Sequence, residues 1–416
     1  MSELNALERA RIRIIRDRGR EAVIDLCNSS FRVAGITPSE EIYRLAWEMW
    51  RRNPEYIPSG RGGEDIRRRV AEFYRERGVG VEVDQVVVTA GSSVSYHLVF
   101  SILRGEGAGR PAGVALPLPG YPLFEDIARD AGVEMIPYHC APHAAFLPDP
   151  GEIEDALRSG ARGVVVISPN NPTGIVVPEG ILSEIAGMCS RYGAVLIIDE
   201  VFAEFVGDGG ARPSGGDDPG GVPLLPAVAE GGCIVLRLHG LSKAAAAPEV
   251  KLGWIAVTGS DPRERSRWSD SLDRHHDTYL TVSGYAEAFG RAVLGTSAGH
   301  RGIAVVREGV LNGQVELDRW VRDAPYLEDL TAGSVRGGIH RVLRIEQTVV
   351  AARIGSLDDE QIAVSILERA GILVHPGYLY GMEGEPFGLG PWFVVTALHQ
   401  SGTVSIVADR LHDLFG

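Results

Sequence analysis

The chain has 416 residues, 44% of them hydrophobic, and a formal net charge of −14 from 41 basic against 55 acidic side chains. That much apolar content fills a core sized for two domains, while the acidic balance, with no long basic run, speaks against a general nucleic-acid binder. No apolar run approaches membrane-spanning length, and Met1-Ser2-Glu3-Leu4-Asn5 lacks the apolar core of a signal peptide. Cys27, Cys140, Cys189 and Cys233 are scattered, with neither a CxxC pair nor metal-ligand spacing. The expectation is a cytoplasmic protein with reduced thiols and no bound metal, nucleic acid or membrane.

Residues 6–22 are arginine-rich with helical spacing and read as a surface helix or arm. Ser39 is a good N-cap for a helix over 39–53, with Ile42, Leu45, Ala46 and Met49 along one side. Strand–helix alternation starts at Gln85 and runs to about residue 258, the pattern of a mainly parallel sheet with helices on both faces. Its first strand, Gln85-Val86-Val87-Val88-Thr89-Ala90, is followed by Gly91-Ser92-Ser93, which opens a helix with Val94, Leu98, Val99, Ile102 and Leu103 on its apolar side. Residues 207–226 are dense in Gly, Pro and Asp and read as an inserted surface loop, with an active-site lid as the second possibility. A helical stretch covers 262–320, and strands return at 338–345 and 371–375.

Three apolar runs end on residues with chemistry to offer. Gly163-Val164-Val165-Val166-Ile167 leads into Ser168-Pro169-Asn170-Asn171-Pro172-Thr173-Gly174. Ala194-Val195-Leu196-Ile197-Ile198 leads into Asp199-Glu200-Val201-Phe202, and Cys233-Ile234-Val235-Leu236-Arg237-Leu238 into His239-Gly240-Leu241-Ser242-Lys243. Short β-branched runs bounded by turn residues read as buried parallel strands, and ligands of open α/β sheets bind beyond the carboxyl ends of such strands. An amide, a carboxylate and an amine at three such ends make a site.

On these motifs the chain resembles a fold-type-I pyridoxal-phosphate enzyme of the class I/II aminotransferase family, from about residue 20 to the C-terminus. The resemblance implies an α/β, aspartate-aminotransferase-like fold: a large domain on a mainly parallel seven-stranded sheet plus a smaller α+β domain. It divides the chain into 1–45 (N-terminal arm and part of the small domain), 46–295 (large, cofactor-binding) and 296–416 (small, C-terminal). It implies pyridoxal 5'-phosphate as cofactor, a small-molecule amino substrate, and a homodimer with composite active sites.

Lys243 then corresponds to the lysine that forms the Schiff base with the cofactor. Such an amine must be uncharged to react, and desolvation beside another cation lowers its pKa. Asp199 corresponds to the partner of the pyridine nitrogen and Asn171 to the donor toward the ring's phenolic oxygen. Gly91, Ser92 and Ser93, at a helix N-terminus with free N–H groups, would cradle the phosphate, completed by Ser242 and by Lys251, where most relatives carry Arg. Tyr121 matches the aromatic that stacks on the ring. Tyr56 matches the tyrosine that reaches the phosphate from the partner subunit. Either tyrosine could instead be core.

Two positions depart from the family pattern. Phe202 stands where many relatives have a Tyr that bonds the phenolic oxygen. In Gly390-Pro391-Trp392-Phe393-Val394-Val395-Thr396-Ala397-Leu398, Val395 falls where the arginine for the substrate carboxylate belongs. Arg341 and Arg344 are the substitutes nearest in sequence, and Arg32, in the N-terminal segment that often lines such sites in the family, is another, although each is also the kind of arginine that ends in a surface ion pair. The reading is an aminotransferase working through Lys243. The altered carboxylate site keeps open a second reading: elimination, replacement or ring-forming carbon–carbon chemistry on the same scaffold.

Overall fold

The computed structural model describes residues 5–53, 57–105, 112–207, 232–280, 282–331, 333–356, 358–388 and 390–416. Tyr56 and residues 208–226 of the Gly/Pro-rich loop lie outside them.

The first strand, β1, is Ile24–Asp25. The large body holds β2 (Val86–Thr89), β3 (Gly113–Leu118), β4 (Glu134–His139), β5 (Ala161–Ile167), β6 (Val195–Asp199), β7 (Val235–Gly240) and β8 (Gly253–Thr258). Then come β9 (Leu327–Glu328), β10 (His340–Ile345), β11 (Ile372–Leu373), β12 (His375–Pro376) and β13 (Trp392–Thr396).

Strands β2 to β8 make one seven-stranded sheet in the order β2-β8-β7-β6-β5-β3-β4. All its pairings are parallel except those of β8, which is antiparallel to both neighbours. Both faces are buried, which is why β5 and β6 are continuous Val/Ile/Leu runs rather than alternating ones. Val164, Val166, Leu196 and Ile198 enter one core, under helices Pro150–Arg158 and Glu179–Tyr192. Val165, Ile167, Val195 and Ile197 enter the other, under Ser92–Gly105, Phe124–Ala131 and Pro262–Asp277. Each such side chain withdrawn from water contributes about 1.5–3 kcal/mol, so the strand ends that carry the chemistry are firmly anchored.

The remaining strands form two small sheets, β12-β13-β10-β9 (antiparallel) and β1-β11 (parallel). The pleat of the four-stranded sheet divides its side chains. Val342, Trp392 and Val394 join the core shared with the large body, whereas Leu343, Ile345, Phe393, Val395 and Ala397 join a separate core.

The arginine-rich N-terminal segment does form a helix, Ala6–Arg18, but it is docked rather than free: Leu7, Ala10 and Ile14 are buried in that separate core. The Glu360 carboxylate accepts from the Ala6 N–H at 2.8 Å. Beyond β1, Leu26 is tied to both small sheets, its N–H donating to the Leu373 carbonyl (3.0 Å) and its carbonyl accepting from the Thr396 N–H (2.8 Å). Ser39 caps helix Glu40–Arg51, accepting from the Glu41 N–H at 3.1 Å. The stretch expected to be helical beyond residue 262 is three helices, Pro262–Asp277, Gly284–Gly295 and Ser297–Asp323. Among the described residues no helix is long and apolar enough to cross a membrane.

Candidate active site

Strands β2, β3, β5, β6 and β7 all point the same way, so their carboxyl ends open on one edge of the sheet. At or just beyond those five ends stand Gly91, Tyr121, Asn171, Asp199 and Lys243 respectively.

After β5, Asn170 and Asn171 do different work. Asn170 is buried and holds the turn: its Oδ1 accepts from the Thr173 N–H (3.2 Å) and hydroxyl (2.9 Å), and its Nδ2 donates to the Pro119 carbonyl (3.3 Å). Asn171 is left over, with its Oδ1 buried and no partner in the described structure. A buried amide without a hydrogen bond costs free energy unless something else completes it.

After β6, Asp199 and Glu200 repeat the contrast. Both are buried, and burial raises the pKa of each. Glu200 has a cation, Arg237, and accepts from the Tyr74 hydroxyl at 3.3 Å. Asp199 accepts from the Tyr96 hydroxyl (2.7 Å) and the Val201 N–H (3.0 Å), but among the described residues no basic side chain pairs with it. Burial pushes it up to about 6 against those two hydrogen bonds. Tyr96 lies one helical turn past Ser92-Ser93, and sequence reasoning did not single it out; its signal is a tyrosine four residues after Ser92 on a helix packed over β7 and β8.

After β7, Lys243 lies in the short helix Leu241–Ala244. Its Nζ is 6.0 Å from the ring centroids of both Phe31 and Phe202. Burial, then the charge of Lys251, lowers its pKa, and among the described residues no carboxylate pairs with it. An amine set between aromatic rings and a second cation is held toward its uncharged, nucleophilic form. Ser242 is half-buried beside it.

Gly91 has φ +112°, a conformation a side chain would strain. A Cβ on Gly253 of β8 would lie 2.8 Å from the Gly91 Cα, so Gly253 must lack a side chain for the loop to sit this low. Ser92 and Ser93 then begin helix Ser92–Gly105, where the first N–H groups have no intrahelical acceptor. Lys251 is exposed, with φ +57°. Tyr121 is half-buried and meets Phe124 edge-on, with centroids 5.7 Å apart. Phe202 is buried against Phe205 and His340.

The three arginines proposed from sequence are all engaged. Arg32, exposed, donates to Glu249 Oε1 at 2.7 Å. Arg341 bridges Asp318 (2.5 Å) and Asp329 (2.9 Å). Arg344 holds Glu328 (Nε to Oε2 2.8 Å) and lies 5.1 Å from the Trp392 ring centroid. Val395 is turned away as well: its side chain is in the core behind β13, among Phe393, Ala397 and Leu343. The residues of β13 on the opposite face are Trp392, Val394 and Thr396, none of them basic.

The sequence profile of the family Aminotransferase class I and II matches residues 23–411, and the chain belongs to that family, whose enzymes are pyridoxal-phosphate-dependent transferases. It is 38% identical over 147 residues to valine–pyruvate aminotransferase of Mycobacterium tuberculosis, covering 35% of this chain and 36% of that protein. It is 31% identical over 243 residues to nicotianamine aminotransferase B of Hordeum vulgare, covering 57% and 40%. The alignments thus span about two fifths or less of those relatives' length. In fold it superposes on alanine aminotransferase of Pyrococcus furiosus with a TM-score of 0.79 at 20% identity, covering 100% of this chain and 98% of that one.

The site suits that family's cofactor on its own terms: an amine whose pKa burial lowers, a buried carboxylate lacking a cation among the described residues, a buried amide oxygen lacking a partner and a low glycine turn at a helix N-terminus.

Proposed function

We propose that the chain is an aminotransferase acting on an amino acid or a similar small amino compound, with pyridoxal 5'-phosphate attached at Lys243. The observation that carries this reading is that, among the described residues, Lys243 and Asp199 lack a partner of opposite charge and Asn171 Oδ1 lacks a hydrogen bond on neighbouring strand ends, while Glu200, beside them, is paired. When bound, the cofactor supplies a protonated ring that acts as an electron sink.

The chain's own residues divide the remaining work. Gly91, Ser92, Ser93, Ser242 and Lys251 would hold the phosphate. Asp199, kept in place by Tyr96 and the Val201 N–H, would keep a proton on the ring nitrogen, and that cation would in turn draw its pKa down. Asn171 would donate to the phenolic oxygen without help from a tyrosine, since Phe202 has no hydroxyl. Tyr121 would cover the ring. Lys243 would take a proton from the substrate's α-carbon. The named relatives are aminotransferases, which favours transamination over elimination or ring formation.

We also propose a cytoplasmic homodimer. Four free thiols suit a reducing compartment, and an exposed aromatic ridge, Trp47 and Trp50 with centroids 5.0 Å apart, suits an interface. Tyr56 would reach the partner's phosphate.

Borohydride reduction of the purified yellow protein followed by peptide mapping should place the cofactor on Lys243. A label on any other lysine overturns the site.

A further inference from the structure

The wall across from Lys243 comes from three segments far apart in sequence: Phe31, Phe202 and the β10 residue His340. The Phe202 ring is shared, with Lys243 Nζ 6.0 Å from its centroid and the His340 ring 6.3 Å from it, nearly perpendicular at 80°. Behind His340 stands Tyr380, with centroids 6.4 Å apart; the Tyr380 hydroxyl is 3.0 Å from His375 Nδ1. The Tyr380 backbone is fixed to the Tyr121 loop, its carbonyl accepting from the Gly120 N–H at 3.1 Å. In register, His340 lies opposite Thr396 and His375 opposite Val394, so both imidazoles share the face of the small sheet that looks toward the large body.

Among the described residues the His340 imidazole has no hydrogen-bond partner, although it is only partly exposed. Burial, then the charge of Lys243, pushes it down to about 3, so it stands neutral beside the amine. Among the described residues the one arginine on this face, Arg344, is bound to Glu328. Within those residues the wall therefore offers aromatic surface and one vacant hydrogen-bonding group, and no unpaired guanidinium.

We infer that His340 is a specificity-determining residue, whose imidazole receives the side chain of an amino substrate held at Lys243. The class this wall fits is an apolar or aromatic side chain with at most an uncharged hydrogen-bonding group, and not a second carboxylate. The inference rests on the reading that Lys243 carries the reaction.

The test is steady-state kinetics of the holoenzyme with phenylalanine, tyrosine, aspartate and glutamate as donors, beside spectral titration of the bound cofactor. Wild type should prefer the aromatic pair over the acidic pair in kcat/KM. His340→Ala should raise KM and the titrated Kd for tyrosine, whose hydroxyl the imidazole would meet, by about fivefold to tenfold, the weight of one hydrogen bond, with the cofactor spectrum unchanged. His340→Gln, which keeps a donor and an acceptor, should recover most of that loss. Preference for aspartate or glutamate, or an unchanged KM in His340→Ala, overturns the proposal. So does loss of bound cofactor in both variants, which would put His340 in the cofactor cradle. Failure of the underlying reading is scored separately, as turnover that survives in Lys243→Ala.

Discussion

At the carboxyl edge of the seven-stranded sheet, Lys243 has no carboxylate partner among the described residues and Asp199 has no basic one. On the four-stranded sheet the reverse holds: Arg341 is clasped by Asp318 and Asp329, and Arg344 by Glu328. A charged group whose field is already answered within the chain has little left to offer a ligand. One taken out of water without an answer is unstable until something arrives. The contrast recurs between adjacent residues, since Glu200 has Arg237 and Asp199 has none.

The comparison can be broken at its strongest point by Asp199→Ala. Turnover should fall at least about a hundredfold, roughly 2.7 kcal/mol in the barrier, while some cofactor absorbance survives. Turnover within tenfold of wild type would place the ring nitrogen's partner elsewhere.

Arg341→Ala should act on stability instead. It strips a buried guanidinium from two acids, but Arg336 still reaches both Asp318 and Asp329. The loss in urea unfolding should therefore be about 2 kcal/mol, below the usual cost of breaking a buried pair, with KM unchanged. A KM that climbs while stability holds would return Arg341 to the substrate site.

The effect of pH sharpens the account of Asp199. Its folded pKa, near 6, lies above its ordinary value of 3.8, so the buried anion costs stability at higher pH and relief comes as pH falls from about 6 to about 4. In cofactor-free protein, Asp199→Asn should be more stable than wild type by up to about 3 kcal/mol at pH 8. That advantage should shrink to nothing near pH 4; an advantage independent of pH would mean the carboxylate is not the cause. The smallest effect belongs to Arg344→Ala, whose partly exposed pair should cost under about 1 kcal/mol by the same unfolding measurement.

The sheet edge that carries Asn171, Asp199 and Lys243 was legible because its signals are local. Asn171, Asp199 and Lys243 each follow a continuous apolar run, and a run that stops on a polar residue marks a strand end without knowledge of the rest of the fold. The opposite wall was not legible. Phe31, His340 and Tyr380 come from separate segments and meet only through tertiary packing. The Val395 expectation failed for a different reason. In β13, Trp392-Phe393-Val394-Val395 is buried on both faces, so no polar alternation reveals which side chains look inward, and a shift of one residue exchanges the faces. The three arginines were visible, but their acids, Glu249, Asp318, Asp329 and Glu328, were not predictable as neighbours.

Leu26 is tied to both small sheets, and Phe31 stands against Lys243. The stretch between them can span at most about 17 Å. It is a leash between the small sheets and the Lys243 side chain. A displacement of those sheets would be handed to Phe31 over a few peptide units, and the seclusion of Lys243 would become a matter of leverage. On this view the surroundings of that amine are set mechanically as well as chemically, by how firmly the N-terminal segment is pulled into place.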